Sequence, residues 1–492
     1  MSKFKKAAAV AATASVIAAG SSFVSMAAQA GWVNDGSGWA YLDARGEKVT
    51  DSWKKSGDYW YYLGADGDMV VDQWVDDTYY VDVNGVMIQN RWVYMDAGTD
   101  GAPNADGGWY YFGANGKAVT DGWKTINQRK YHFDSDGTMQ YGWLTDNGET
   151  YYLGDENDGA AAIGWRCLEF DKENLPQDGD VSAQETSGSD TAKWFYFQTS
   201  GKAVKATNGT YANKTINGSK YYFDENGAML TGWASIEGEA KASASDATGI
   251  SGFKYFGDEN SGQMAKGWKY LTDSPMDSDD SSSIIEATAS SAQTDDGGNW
   301  YYFENDGTPK FLAADAQNMS DAVSRINGQN YFFDQYGRMR SGLLRIVLAD
   351  GTERTAYFGS SDADGKMRTD RNTGVIEESG DRSTFYFEAS GSEKGAGVTG
   401  EKKGYLYANG KLVAAEKGST TQVFEVNGTY YLVNESGKIQ TANKAYKSDG
   451  EYAFEYDHGT IYEIDADKNR LGVVSQSESL PEITYNEDYI LQ

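Results

Sequence analysis

Short apolar runs rich in aromatic residues alternate along this chain with polar stretches rich in Asp, Asn and Gly. Tyr61-Tyr62-Leu63 is one such run; a turn ending at Gly67 follows, and Met69-Val70-Val71 then leads to Trp74. The same order returns at Trp109-Tyr110-Tyr111-Phe112 with Gly116, Tyr221-Tyr222-Phe223 with Gly227 and Trp300-Tyr301-Tyr302-Phe303 with Gly307. It continues at Tyr331-Phe332-Phe333 with Gly337 and Tyr430-Tyr431-Leu432 with Gly437. Aromatic runs of this length favour strands. Ala-Asp-Gly, Ser-Asp-Gly and Glu-Asn-Gly supply the positive-φ residue of a tight turn. The pattern predicts one β-hairpin per unit, made by the aromatic run and the short apolar segment after the glycine.

All 14 tryptophans fall in two slots of this unit, and none follows Trp300. The opening slot holds Trp32, Trp53, Trp74, Trp92, Trp123, Trp143, Trp165, Trp233 and Trp268; the strand slot holds Trp39, Trp60, Trp109, Trp194 and Trp300. The steps from Trp53 to Trp74, Trp123 to Trp143 and Trp143 to Trp165 give a period of about twenty residues, the mark of a repeat array. A lone hairpin has no face to bury, whereas stacked hairpins bury one another's rings. The expected fold class is all-β, an elongated solenoid of stacked β-hairpin repeats of about 20 residues. An aromatic content of 14% with five prolines suits a thin aromatic core.

The unit resembles the Gram-positive cell-wall-binding repeat, also called the choline-binding or glucan-binding repeat, and is similar to the carbohydrate-binding repeats of clostridial toxins. The stretch from Thr215 through Tyr221-Tyr222-Phe223, Gly227 and Met229 to Gly232-Trp233 follows that pattern over its whole length. The likeness runs from Gly31 to about Gly437, with insertions.

Residues 1–30 read as a secretory signal, with Lys3, Lys5 and Lys6 before an Ala-rich apolar run and Ala28-Gln29-Ala30 as the cleavage site. Trp-rich repeats are expected over 31–300, with loop insertions near 166–193, 234–252 and 269–299, each between an opening Trp and the following run. Trp-free hairpin repeats are expected over 301–474 and a loose tail over 475–492. Leu480-Pro481-Glu482-Ile483-Thr484 only superficially resembles a wall-sorting signal, and no later segment approaches a membrane span.

The net charge of −30 becomes about −33 once the signal lysines are removed. That argues against nucleic acid, whose binding needs clustered Lys and Arg. It keeps an extracellular protein soluble and is compatible with attracting an organic cation. Cys167 is the only cysteine, so no internal disulfide is possible.

Facing aromatic rings can cage a quaternary ammonium by cation–π attraction, or stack on sugar rings; the alternative is that the tryptophans only fill a core. The resemblance implies a site between successive hairpins, made of an opening Trp, a strand Trp and an aromatic of the next unit, with Met nearby. Carried to this sequence, it implies Trp53, Trp60 and Trp74 with Met69, then Trp32, Trp39 and Trp53, then Trp92, Trp109 and Trp123. Units with Thr78, Lys130, Thr150, Lys220 or Asn330 in the strand slot lack the full set. The implied partner is a cell-wall polymer, choline-bearing teichoic acid or a glucan. A glycan-binding adhesin and a structural surface rod stand as alternatives.

Neither a catalytic residue, a cofactor nor a metal site is expected. His132 and His458 belong to no hydrolase or zinc motif, and the longest gap between repeats is too short for a catalytic domain. Asp134-x-Asp136-Gly137 and Asp362-x-Asp364-Gly365 echo a calcium loop but coincide with turns, where Asp and Gly belong anyway.

Overall fold

The computed structural model describes residues 30–36, 38–182, 191–207, 209–237, 240–241, 249–258, 260–272, 298–361 and 363–490. The predicted signal, apart from Ala30, and parts of the insertions lie outside the described residues, as does Asp362. The chain divides into two compact units, residues 1–208 with 223–229 and residues 209–222 with 230–492.

In the first unit each hairpin begins with the opening Trp. Ser52–Ser56 pairs antiparallel with Tyr59–Leu63, which sets Trp53 against Tyr62 and Lys55 against Trp60. Arg91–Met95 with Gly108–Phe112, Gly122–Ile126 with Arg129–Phe133, and Trp143–Asp146 with Glu149–Tyr152 repeat that register. The predicted pairing is thereby corrected: the partner of the aromatic run lies before it. The reason is turn geometry. Asn127-Gln128 and Asn147-Gly148 have positive φ at both positions, the type I′ combination whose twist matches that of paired strands.

The Asp-x-x-Gly turn after the run has a different task. Asp134 Oδ1 accepts from the amides of Asp136 (3.0 Å) and Thr138 (2.8 Å), so its carboxylate serves the turn. Past the turn the chain touches the run only briefly, as in the bridges Leu63–Met69 and Phe133–Met139. This arm then reaches the preceding hairpin. Met69 N–H donates to the Trp39 carbonyl (2.6 Å), Met87 to Trp60, Met139 to Trp109 and Ala161 to Lys130 (each 2.8 Å). Each repeat thus satisfies backbone groups on the edge of the one before it. Leu63, Phe112, Phe133 and Phe197 are fully buried beneath these arms.

The pairs Gly164–Glu169 with Ala192–Phe197, Trp233–Glu237 with Phe253–Tyr255, and Gly267–Leu271 with Asn299–Phe303 put all three insertions within a hairpin loop. The last pair also carries one hairpin across residue 300, where the sequence suggests a change of region.

Beyond it, wider sheets appear beside simple hairpins such as Thr421–Val426 with Thr429–Asn434. Asp370–Ile376, Arg382–Phe387, Lys411–Val413, Tyr405–Ala408 and Gly400–Lys402 form five strands in that spatial order. Lys444–Ser448, Glu451–Asp457, Thr460–Ile464 and Arg470–Val473 form four. The expected loose tail is also corrected. Glu487–Ile490 pairs in parallel with Leu343–Val347, and Tyr489 is buried with Phe332 and Leu344. Scattered apolar residues, Ile483, Tyr485 and Tyr489, pin the strap although they form no periodic run.

A buried carboxylate fastens this strap. The Glu377 side chain is only 1% exposed and lies 2.7 Å from Lys411 Nζ. It accepts from the Ser383 hydroxyl and, at 3.0 Å, from Thr484 N–H. Burial pushes its pKa up, but Lys411, Ser383 and the Thr484 amide outweigh burial and hold it below the usual carboxylate value. A depressed carboxylate pKa adds stability that is present above the unfolded pKa of about 4.3 and is lost as pH falls through the folded value. The second unit is therefore expected to lose thermal stability between neutral pH and pH about 3 more steeply than a Glu377→Gln variant. Circular dichroism melts at both pH values check this; equal slopes would remove Glu377 as the cause.

Candidate aromatic binding cages

The register of the hairpins determines which rings meet. In the hairpin that follows a given opening Trp, the residue just before the cross-strand partner of the next opening Trp turns back towards it. Tyr131 precedes His132, the partner of Trp123, and lies 4.9 Å from Trp92 between ring centroids. The arm from the same hairpin brings Met139 to the Trp109 carbonyl. A narrow cleft results, lined by Trp92, Trp109, Tyr131 and Met139, with Asn157 and Asp158 at its rim.

The same register recurs. Trp32 meets Tyr61 at 5.3 Å, with Met69 bonded to Trp39. Trp53 meets Tyr79 at 5.1 Å, with Met87 bonded to Trp60. In the second unit Trp268 meets Tyr331 at 4.9 Å and Trp300 at 6.3 Å, with Met339 packed beside them. In the first unit Trp165 and Trp194 are 6.3 Å apart, and Met229 N–H donates to the Trp194 carbonyl.

The structure brings Trp92 and Trp109 to one cleft and sets Trp32 and Trp39, like Trp53 and Trp60, on the two strands of one hairpin, but changes the third member. That member is a tyrosine, not the next tryptophan. Trp74 is buried on Tyr80, Tyr110 and Phe112, and Trp123 packs on His132 and Tyr151. Met69 serves Trp32 and Trp39 rather than Trp53 and Trp60. Tyr61, Tyr79, Tyr131, Met87, Met139 and the whole group at Trp268 were missed. Their signal is positional: the residue before the partner of the next opening Trp, and the methionine after the next Asp-x-x-Gly turn.

Electrostatics suit a cation without needing a charged wall. Burial, opposed by Arg129 and helped by Asp158, leaves the Tyr131 hydroxyl above its ordinary pKa. Burial and then Asp364 do the same at Tyr331, and burial with Asp82 and Tyr59 at Tyr61. These rings stay neutral at physiological pH and offer their electron-rich faces. Asp158 pairs with Arg129 at the cleft rim. Met139 is held from behind by Gly159: a Cβ there would lie 2.2 Å from the Met139 sulfur, and φ is +60°. Among the described residues no cluster of His, Cys, Asp and Glu could hold a metal ion, and none of the helices is long and apolar enough to cross a membrane.

Residues 119–165 and 47–87 match families described as choline-binding repeat, and residues 104–118, 214–229 and 293–308 match one described as putative cell wall binding repeat. Glucosyltransferase-S of Streptococcus mutans serotype c is 25% identical over 331 residues, 66% of this chain and 18% of that protein, so the chain spans less than a fifth of this relative's length. Similar solved structures include choline binding protein F from Streptococcus pneumoniae with a peptidoglycan analogue (21% identity, 71% of this chain, 98% of that one, TM-score 0.37). Another is the modular autolysin LytC from Streptococcus pneumoniae with a synthetic peptidoglycan ligand (18% identity, 65% of this chain, 55% of that one, TM-score 0.35).

Proposed function

From a chain that carries choline-binding and cell-wall-binding repeats, we propose a secreted, non-catalytic protein that docks non-covalently on choline-bearing teichoic acid of a Gram-positive wall. The ligand is the choline headgroup, held by the rings of Trp92, Trp109 and Tyr131 and the equivalent sets. The observation that carries this is the recurrence of opening Trp, strand Trp, tyrosine and methionine in one geometry. A trimethylammonium group has apolar methyls and a diffuse charge, so ring faces stabilise it at small desolvation cost.

Isothermal titration with choline chloride tests it. Saturable binding at millimolar choline is expected, and Trp109→Ala is expected to remove one site from the stoichiometry. An isotherm that stays flat while the protein still binds a glucan resin would transfer the function to the second reading. That reading, a glucan-binding surface protein, is favoured by the strand-slot substitutions Thr78, Lys130 and Thr150, which leave several interfaces without a full cage, and by the likeness to glucosyltransferase-S.

A further inference from the structure

One interface departs from the others in a way that has chemical content. Between the hairpins Gly122–Ile126 with Arg129–Phe133 and Trp143–Asp146 with Glu149–Tyr152, the opening ring is Trp123 and the returning tyrosine is Tyr151, 4.5 Å away. The strand slot holds Lys130 where the preceding cage has Trp109, and the arm carries Ala161 where that cage has Met139. Two large side chains are replaced by one flexible one and a methyl. The lysine stem folds into the vacated space. Its Nζ lies 4.1 Å from the Trp123 ring centroid and 5.6 Å from that of Tyr151, and donates to the Ser200 carbonyl at 3.2 Å. Trp123 Nε1–H donates to Asp146 Oδ2 at 2.9 Å, which orients the indole and enriches its face in electron density.

We propose that this is a cation cage occupied from within: the Lys130 ammonium takes the place that an external quaternary ammonium takes in the neighbouring cages, and so excludes one. The inference rests on the proposed function for the ligand class. Lys130 is then a specificity-determining residue. The Trp123 interface gains the ring-to-cation attraction permanently and stays closed to wall ligands, while the Trp92 interface stays open to them. The surroundings agree: burial and the neighbouring Lys202 lower the Lys130 pKa against the pull of Asp146, as for an ammonium partly stripped of water.

Removing the tethered cation should create a site. Equilibrium dialysis of the full chain against tetramethylammonium is expected to show one more bound equivalent for Lys130→Ala than for the unsubstituted protein. Adding Trp123→Ala should cancel the gain. Lys130→Met, which keeps an apolar stem, decides the matter if Lys130→Ala fails to fold. Equal stoichiometry in folded variants overturns the inference. A second measurement needs no variant to gain a site: proton NMR should show one lysine ε-methylene shifted upfield by the indole ring current and lost in Lys130→Arg, and its absence also overturns the inference. If the unsubstituted protein binds no tetramethylammonium but Lys130→Ala binds one equivalent, the proposed function fails and this inference stands. If the unsubstituted protein binds it and the variants add nothing, the reverse holds.

Discussion

Ending the chain after Val474 is expected to unfold part of the second unit and to lower its stability by at least the about 3–5 kcal/mol that one large buried aromatic contributes. The strap that follows Val474 is integral. Tyr489 fills a cluster with Phe332, Leu344 and Ile346, Tyr485 bonds Thr355 at 2.8 Å, and Asn486 caps the Leu343 amide at 2.7 Å. Removing it also exposes the edge of Leu343–Val347 and strands Glu377 with one backbone donor fewer. Guanidinium unfolding followed by circular dichroism checks this. Tyr489→Ala should account for much of the loss, whereas Tyr489→Phe should be near neutral, because the hydroxyl is buried without a hydrogen-bond partner. A truncated chain with an unchanged midpoint would show the strap to be dispensable.

Phe133→Ala is expected to cost about 3–5 kcal/mol in the first unit and to abolish the Trp92 cleft in the same step. The ring is fully buried, stacks on Trp92 at 5.7 Å and bridges to Met139. Tyr131 and Met139, two walls of the cleft, are attached to either side of it. Thermal melts and choline titrations of the same variant should therefore move together. A fall in stability with the full number of choline sites retained would detach the arm from ligand binding.

Much of this architecture is legible in the residues because a repeat amplifies weak local signals. One Trp-Tyr-Tyr run says little; its return with a glycine at fixed distance requires stacking. The sequence points to the wrong pairing partner because an apolar segment such as Met69-Val70-Val71 follows the turn after the aromatic run, whereas the true partner strand carries polar residues such as Lys54 and Lys55. Two positive-φ residues at Asn127-Gln128 decide it, and backbone torsions are hard to read at Gln128. The third ring was misjudged for another reason. Trp74 and Tyr79 both lie in the next hairpin, and only strand register decides that Tyr79 turns back to Trp53 while Trp74 turns on to Tyr110. At the chain end, Ile483, Tyr485 and Tyr489 stand in a short polar-rich stretch without the repeat pattern, and their burial comes from distant partners such as Phe332, Leu344 and Phe387.

The arm that carries Met139 back to the Trp109 carbonyl makes each cage the joint property of two consecutive hairpins. Valency then follows contiguity rather than repeat number. On the proposed function, a run of full units offers at most one fewer site than it has hairpins, and a nick in one hairpin is expected to disturb the site of its predecessor. On the same reading, interfaces such as those at Thr78 or Lys130, which keep the backbone bond of the arm, would serve as spacers that preserve the run while lowering its valency. Because several weak sites on one chain bind a polymer far more tightly than any one of them, the order of full and empty interfaces would then set the ligand spacing that the proposed wall polymer must match.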